Sequence, residues 1–231
     1  MNLLLLSNSR NPGGAYLAHA LDAFATHLGA TRRAWFVPFA GVTVPWGDYT
    51  AMVGAALAPL GVTVVGAHEQ ALPAPEDAIF VGGGNTFHLL AECRRRGLLP
   101  TIAARVRGGT PYAGWSAGAN LTCPTIRTTN DMPIVDPGGF DALGFVPFQI
   151  NPHYTNAMPP GHQGETREQR LTEFLTANRE VQVLGLPEGD WLTVRDGITT
   201  LHGPHAAVWM RHGHPPSTLA AGPLPSMLAG G

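Results

Sequence analysis

The sequence predicts an α/β fold: a mostly parallel central sheet flanked by helices on both faces, closed by a C-terminal antiparallel hairpin. Three observations lead there. Short unbroken apolar runs of strand length (Leu3–Leu6, Ala34–Phe39, Val62–Val65, Ala78–Val81) alternate with segments of helical period, and strands apolar on both faces belong to sheets covered on both sides. One of these runs, Ala78–Val81, and the apolar approach to Trp115 pass directly into glycine-rich loops, Gly82–Asn85 and Gly114–Gly118, the way a strand turns into a helix at the carboxyl edge of such a sheet. Beyond residue 190 the pattern changes to alternation around Asp196-Gly197, a two-residue hairpin signal.

Taken in order, Leu3–Leu6 is the first strand, and Ala15–Phe24 carries apolar residues at helical spacing. Ala34–Phe39 is a second strand. Tyr49–Leu60 reads as a helix, Val62–Val65 and Ala78–Val81 as strands, and Phe87–Leu90 as helical. Arg107–Pro111 is a turn before the apolar approach to Trp115, and helix resumes at Ala117. Residues 125–139 are polar and turn-rich, so they are expected to cap a site rather than fill a core. Phe145–Ile150 is strand-like, a helix begins within Gly161–Arg170 and continues through Leu175, and Val181–Leu186 is a buried strand. Trp191–Arg195 and Ile198–Leu201 form the hairpin, and Ala206–Met210 adds one more strand.

The chain has 231 residues, of which 44% are hydrophobic and 13% charged, with a net charge of −2. That suffices for one core, so residues 1–211 are expected to form a single domain, with the Pro- and Gly-rich residues 212–231 as a loosely ordered tail. No basic stripe supports a nucleic-acid partner. No run approaches the ~20 apolar residues of a membrane span, and Met1–Leu6 lacks the basic flank of a secretory leader. The expectation is a soluble, unprocessed cytoplasmic protein acting on a small molecule. Two cysteines, Cys93 and Cys123, make no disulfide framework. No metal or cofactor is expected, since His212 and His214 are isolated in the tail.

The chemistry concentrates at Tyr112-Ala113-Gly114-Trp115-Ser116-Ala117-Gly118-Ala119-Asn120. An apolar strand ending in Gly-x-Ser-x-Gly lifts a serine hydroxyl to the tip of a sharp strand-to-helix turn, and the small flanks admit a substrate carbonyl close to main-chain N–H groups. Ser116 is the candidate nucleophile. Gly82-Gly83-Gly84-Asn85 follows another strand and can supply half of an oxyanion hole through the N–H near Gly84; Ala117 N–H supplies the other half.

A serine needs a base, and the base needs a third group to fix its tautomer. His153 follows the strand-like 145–150 segment and Glu188 follows Val181–Leu186, so both can meet Ser116 at one rim. The order Ser…His…Glu differs from the Ser…Asp/Glu…His of α/β-hydrolases. Asp131, Asp136 or Asp141 paired with His153, or Glu188 with His202 or His205, remain alternatives by spacing.

The stretches Gly114–Asn120, Cys123–Ile134, Gln149–His153, Gly164–Arg170 and Leu186–Gly189, with Gly82–Thr86, closely resemble the peptidase E family of α-aspartyl dipeptidases. The resemblance covers nearly all of the chain except its tail. It implies a metal-independent cytoplasmic serine exopeptidase on a class I glutamine amidotransferase-like fold, homodimeric, cleaving dipeptides and short peptides with N-terminal aspartate. Carried over, Ser116 is the nucleophile, His153 the base and Glu188 the acid, with Asp131 competing. Arg167 is the first choice for the substrate β-carboxylate and Arg127 the second; Arg170 reads as a surface charge. Asn85 and Thr86 join Arg167 as substrate-binding candidates. Another acyl transfer on the same scaffold, such as a cyanophycinase-like hydrolase of aspartyl polymers, is the alternative, because a triad does not itself name the acyl group.

Overall fold

The computed structural model describes residues 1–158, 160–161 and 163–225. In chain order the elements are β1 (Asn2–Leu6), a 3-10 turn running into α1 (Leu21–Leu28), β2 (Arg33–Val37), α2 (Trp46–Leu57), β3 (Thr63–Gly66), β4 (Ala78–Val81), α3 (Thr86–Arg95), α4 (Leu98–Arg107), β5 (Tyr112–Trp115) and α5 (Ala117–Asn120). There follow β6 (Gln149–Pro152), α6 (Arg167–Ala177), β7 (Gln182–Leu186), β8 (Trp191–Arg195), β9 (Ile198–His202), β10 (Ala207–Arg211), β11 (Ser217–Leu219) and β12 (Gly222–Pro223).

These strands make two sheets. The larger has the order β12-β9-β8-β1-β5-β4-β2-β3, parallel from β1 to β3 and antiparallel at β8, β9 and β12. The alternation of β1 explains its place at the centre: Leu3 and Leu5 point into one core with α3 and α4, while Leu4 and Leu6 point into the other with α1 and α2. The smaller sheet is β11-β10-β7-β6, with β6 and β7 parallel. Its Ile150, Leu184, Leu186 and Trp209 face the α3–α4 core, and its Val183 and Met210 are covered by Leu171 and Leu175 of α6.

The hairpin forms where expected, with Asp196 at φ 51° and Gly197 at φ 79°, the left-handed pair of a type I′ turn. Other boundaries differ from the sequence reading. Helix does not run through Ala15–Leu17, because Leu17 has φ 57° and a left-handed residue cannot continue a right-handed helix. α4 is an addition, set off from α3 by Gly97 at φ 65°. The strand begins at Gln149, not Phe145; Pro147, within that run, has no N–H for a ladder. α6 begins at Arg167, where Thr166 accepts from Gln169 N and the Gln169 side chain accepts from Thr166 N, a reciprocal cap. His162, within the segment read as its start, lies outside the described residues.

The segment read as a loose tail is in part built into the fold. Ser217–Leu219 pairs with β10 and Gly222–Pro223 with β9, so residues 207–223 bridge the edges of both sheets. Residues 226–231 of that segment lie outside the described residues. Among the described residues, no helix is long and apolar enough to cross a membrane.

Candidate active site

Five loops converge at the carboxyl edge of the parallel strands. β5 ends at Trp115, Ser116 takes φ 52° and ψ −111°, and α5 starts at the next residue. Such a turn fits only if the helix passes close to the sheet: a Cβ on Gly118 would overlap the Val81 carbonyl. His153 leaves the end of β6 with φ 54°, and Glu188 leaves the end of β7 through Pro187. His153 Nε2 lies 2.9 Å from Ser116 Oγ, and His153 Nδ1 lies 2.6 Å from Glu188 Oε1. An imidazole so held can take a proton from the hydroxyl while donating its other N–H to the carboxylate. The His153 and Glu188 side chains are 37% and 50% exposed, so their contact is partly solvated.

Ser116 comes from the larger sheet, whereas His153 and Glu188 come from the smaller one. What joins them is the loop after β1. Buried Ser7 accepts from His153 N (2.8 Å) and donates to Leu186 O (2.8 Å), and its own N–H donates to Asp190 O. Asn8 Oδ1 accepts from Gly189 N at 2.8 Å, and Ser116 N donates to Leu6 O at 3.0 Å. The backbone on either side of Glu188 and that of His153 are thereby fixed to the strand beside Ser116.

The competing acids have other partners. Asp131 Oδ2 accepts from Thr86 N (2.7 Å), Thr86 Oγ1 (2.6 Å) and Thr129 Oγ1 (2.9 Å), at the positive N-terminal end of α3. Asp136 accepts from Gly138 N, and His202 meets Thr193. Asp131 nevertheless reaches the cleft, because Asn130 donates to Pro152 O and ties its segment to β6.

The cleft has a volume of about 630 Å³ and is lined from the loops after β1, β2, β4, β5 and β6, with Tyr49 and Met52 of α2. Gly84 and Ala117 stand beside Ser116, and their N–H groups donate to no backbone or side-chain acceptor among the described residues. Gly84 has φ 131°, and a Cβ there would overlap the Ala40 carbonyl. Asn85 caps α3 through His88 N, donates to Met132 O and lies on the cleft wall. Thr86 does not reach the cleft: it is buried, and both its donors engage Asp131.

The structure does not bring the arginine candidates to the cleft wall, which holds no arginine or lysine among the described residues. Arg167 is the first residue of α6, half-buried, with Nη1 lacking a partner among the described residues. Burial and, second, the nearby charge of Arg170 lower its pKa. Arg127 is exposed, stacks on Phe140 at 5.2 Å and reaches Asn178. Arg170 is exposed beside Glu165. Burial pushes the thiols of Cys93 and Cys123 up to about 12, too high for a thiolate nucleophile. Among the described residues no group of three or more His, Cys, Asp or Glu is placed to hold a metal.

Comparison with known proteins decides the family, because the model of peptidase family S51 matches residues 3–202, all of the site included. The chain belongs to peptidase family S51. It is a serine-type peptidase. The chain is 58% identical over 226 residues to peptidase E of Citrobacter koseri, and equally to peptidase E of Escherichia coli K12/DH10B, across 96% of this chain and 99% of each relative. A crystal structure of a putative peptidase E from Listeria monocytogenes EGD-e superimposes with a TM-score of 0.64 at 24% identity, covering 88% of this chain and 98% of that one. A peptidase from an acI-B1 actinobacterium gives 0.64 at 16%, covering 95% and 94%, and supports the fold.

Within this S51 site, sequence reasoning missed Ser7, Asn8 and Tyr49. A signal for the first two existed: Ser7-Asn8 directly follows an apolar strand of the same parallel set, so it belongs to the same rim as Ser116. Nothing local marked Tyr49.

Proposed function

We propose that this S51 peptidase is a dipeptidase that removes N-terminal aspartate from Asp-Xaa dipeptides and short peptides through an acyl-enzyme on Ser116. It acts in the cytoplasm as a homodimer and needs no metal. The single observation that supports the reading most is the continuous Ser116–His153–Glu188 contact, at 2.9 and 2.6 Å, in a chain 58% identical to proteins named peptidase E. The two free, buried cysteines are consistent with a reducing compartment; the homodimer rests on the family resemblance.

In this reading Ser116 Oγ attacks the aspartyl carbonyl carbon as His153 Nε2 takes its proton, and Glu188 holds the imidazolium that results. The Gly84 and Ala117 N–H groups receive the oxyanion. His153 then protonates the leaving amine, and a water, activated by the same imidazole, releases aspartate. Asp131 Oδ1, which has no protein donor among the described residues, takes the substrate ammonium, which restricts cleavage to the first residue. Arg167 is assigned the β-carboxylate; since it stands outside the cleft wall, its substitution is a deciding test.

The reading is tested by hydrolysis of Asp-p-nitroanilide beside its Glu, Asn and Ala counterparts, with wild type and Ser116→Ala, chelator present. Cleavage of the Asp substrate alone, abolished in the variant, is expected. Turnover of another acyl substrate in place of Asp, an aspartyl polymer included, would keep the hydrolase and overturn the dipeptidase assignment.

A further inference from the structure

Tyr49 of α2 lies 34 residues before Gly83 in the sequence, yet its hydroxyl is 3.0 Å from the Gly83 carbonyl oxygen. A carbonyl only accepts, so Tyr49 donates. The directions of the neighbouring bonds follow. Trp115 Nε1 donates to Tyr16 Oη (2.8 Å) and Tyr49 Oη (3.1 Å), and Tyr16 donates to Tyr49 at 3.0 Å. Burial raises the pKa of both tyrosines, so both remain protonated donors.

The bond matters because of the peptide it holds. Gly83 C=O and Gly84 N–H belong to one planar trans unit and point to opposite sides of it. Fixing the carbonyl toward Tyr49 therefore aims the Gly84 N–H the other way. The following peptide has its own anchor, since Asn85 N donates to Ala40 O, and the chain is pinned again one unit before Gly82–Gly83, where Gly82 N donates to Val37 O. Among the described residues, Tyr49 is the one partner of the Gly83 carbonyl. Glycine on both sides removes the Cβ clashes that would oppose rotation of this unit. The position is close to the chemistry, since a Cβ on Gly83 would sit 3.1 Å from Ser116 Cβ.

We propose that Tyr49 is a positioning residue that holds the Gly83–Gly84 peptide in the orientation in which the Gly84 N–H faces the oxyanion. Without the hydroxyl the unit rotates, and one donor of the hole is withdrawn for part of the time. The inference rests on the hydrolytic reading above but not on its aspartyl specificity.

Tyr49→Phe removes one oxygen, keeps the ring against Phe36 and leaves Trp115 its bond to Tyr16. One neutral hydrogen bond biases an orientation by roughly tenfold, and loss of a hole donor altogether costs about 10²–10³ in kcat. The variant is expected to lose about tenfold in kcat, with KM and the pH profile of kcat/KM unchanged. Affinity for a boronic acid that forms the tetrahedral adduct on Ser116 is expected to fall by the same factor, whereas affinity of Tyr49→Phe/Ser116→Ala for Asp-Leu matches that of Ser116→Ala. Tyr16→Phe, which removes the donor to Tyr49 and leaves the bond to Gly83, is expected to cost less. A folded Tyr49→Phe within twofold of wild-type kcat, a loss confined to ground-state binding, or an equal loss in Tyr16→Phe would each overturn the proposal. Acylation by p-nitrophenyl acetate reads the hole even if no Asp substrate is cleaved, so failure of the dipeptidase reading is separable from failure of this one.

Discussion

Glu188→Gln isolates the charge of the acidic member while keeping its size and an acceptor oxygen for His153 Nδ1. The magnitude follows from exposure. When Ser116 attacks, the imidazolium and the carboxylate are held by a 2.6 Å contact. With charge centres about 4 Å apart their attraction is ~1 kcal/mol in water and ~4 kcal/mol at the effective dielectric of a protein surface. With the side chains 37% and 50% exposed, a value near the middle, about 2 kcal/mol, applies. That corresponds to about a 30-fold fall in kcat/KM, well short of the ~10⁴ seen when a buried triad acid is neutralised. Because the pair meets solvent, added salt should narrow the gap between wild type and variant. The assay is kcat/KM for Asp-p-nitroanilide at low and high salt, beside Asp131→Asn with both that substrate and p-nitrophenyl acetate. Asp131→Asn is expected to raise KM for substrates with a free amino terminus and to leave the acetate reaction near wild type. If Asp131→Asn slows the acetate reaction more than Glu188→Gln does, Asp131 is the acid in solution and the reasoning fails.

Ser7→Ala leaves the part-buried His153 N–H without its acceptor, while Leu186 C=O keeps its bond from Tyr154 N. This costs about 1–2 kcal/mol and about 2–8 °C in melting temperature for a chain of this size; kcat should fall about tenfold, and a melt within 1 °C of wild type would show the clasp to be dispensable. Arg167→Ala is expected to raise KM for Asp substrates more than for an uncharged analogue, and an equal small effect on both removes it from recognition. Ser116→Gly should be more stable than Ser116→Ala by about 1 kcal/mol, because only glycine takes φ 52° without strain; calorimetry of the two inactive variants decides this. Burial and, second, the charge of Arg195 lower the His27 pKa from 6.5 to about 4. Between those values the unfolded chain binds a proton that the folded one does not, so stability falls as pH drops from 6.5 to 4, by up to about 3 kcal/mol. His27→Leu should flatten the acid limb of melting temperature against pH, and an unchanged slope would locate the sensitivity elsewhere.

Ser116, His153 and Glu188 were legible because each follows an apolar run that only a buried strand explains, and the carboxyl ends of such strands gather at one edge. Allocation of strands to sheets was not legible. β7 and β8 are separated by only four residues yet belong to different sheets, and β10, which follows the β8–β9 hairpin, pairs with β7 instead. Apolar periodicity reports that a strand is buried, not which neighbour buries it. Whether an arginine reaches the cleft was not legible for a related reason: a motif gives a residue type at a spacing, while reach depends on where α6 docks. Tyr49 was invisible because its role depends on a hydroxyl meeting a backbone carbonyl across two elements, and apolar spacing on a helix reads it as core.

The joint between the two sheets gives the protein two separate failure points. Since the hydroxyl and the imidazole arrive from different layers, the distance between them reports how those layers are seated, and a slip of one ångström at Ser7 would break the relay while every strand stayed paired. Heat or mild denaturant should then silence the enzyme before circular dichroism registers any loss of structure, and activity, on dilution, should return faster than a refolding chain could supply it.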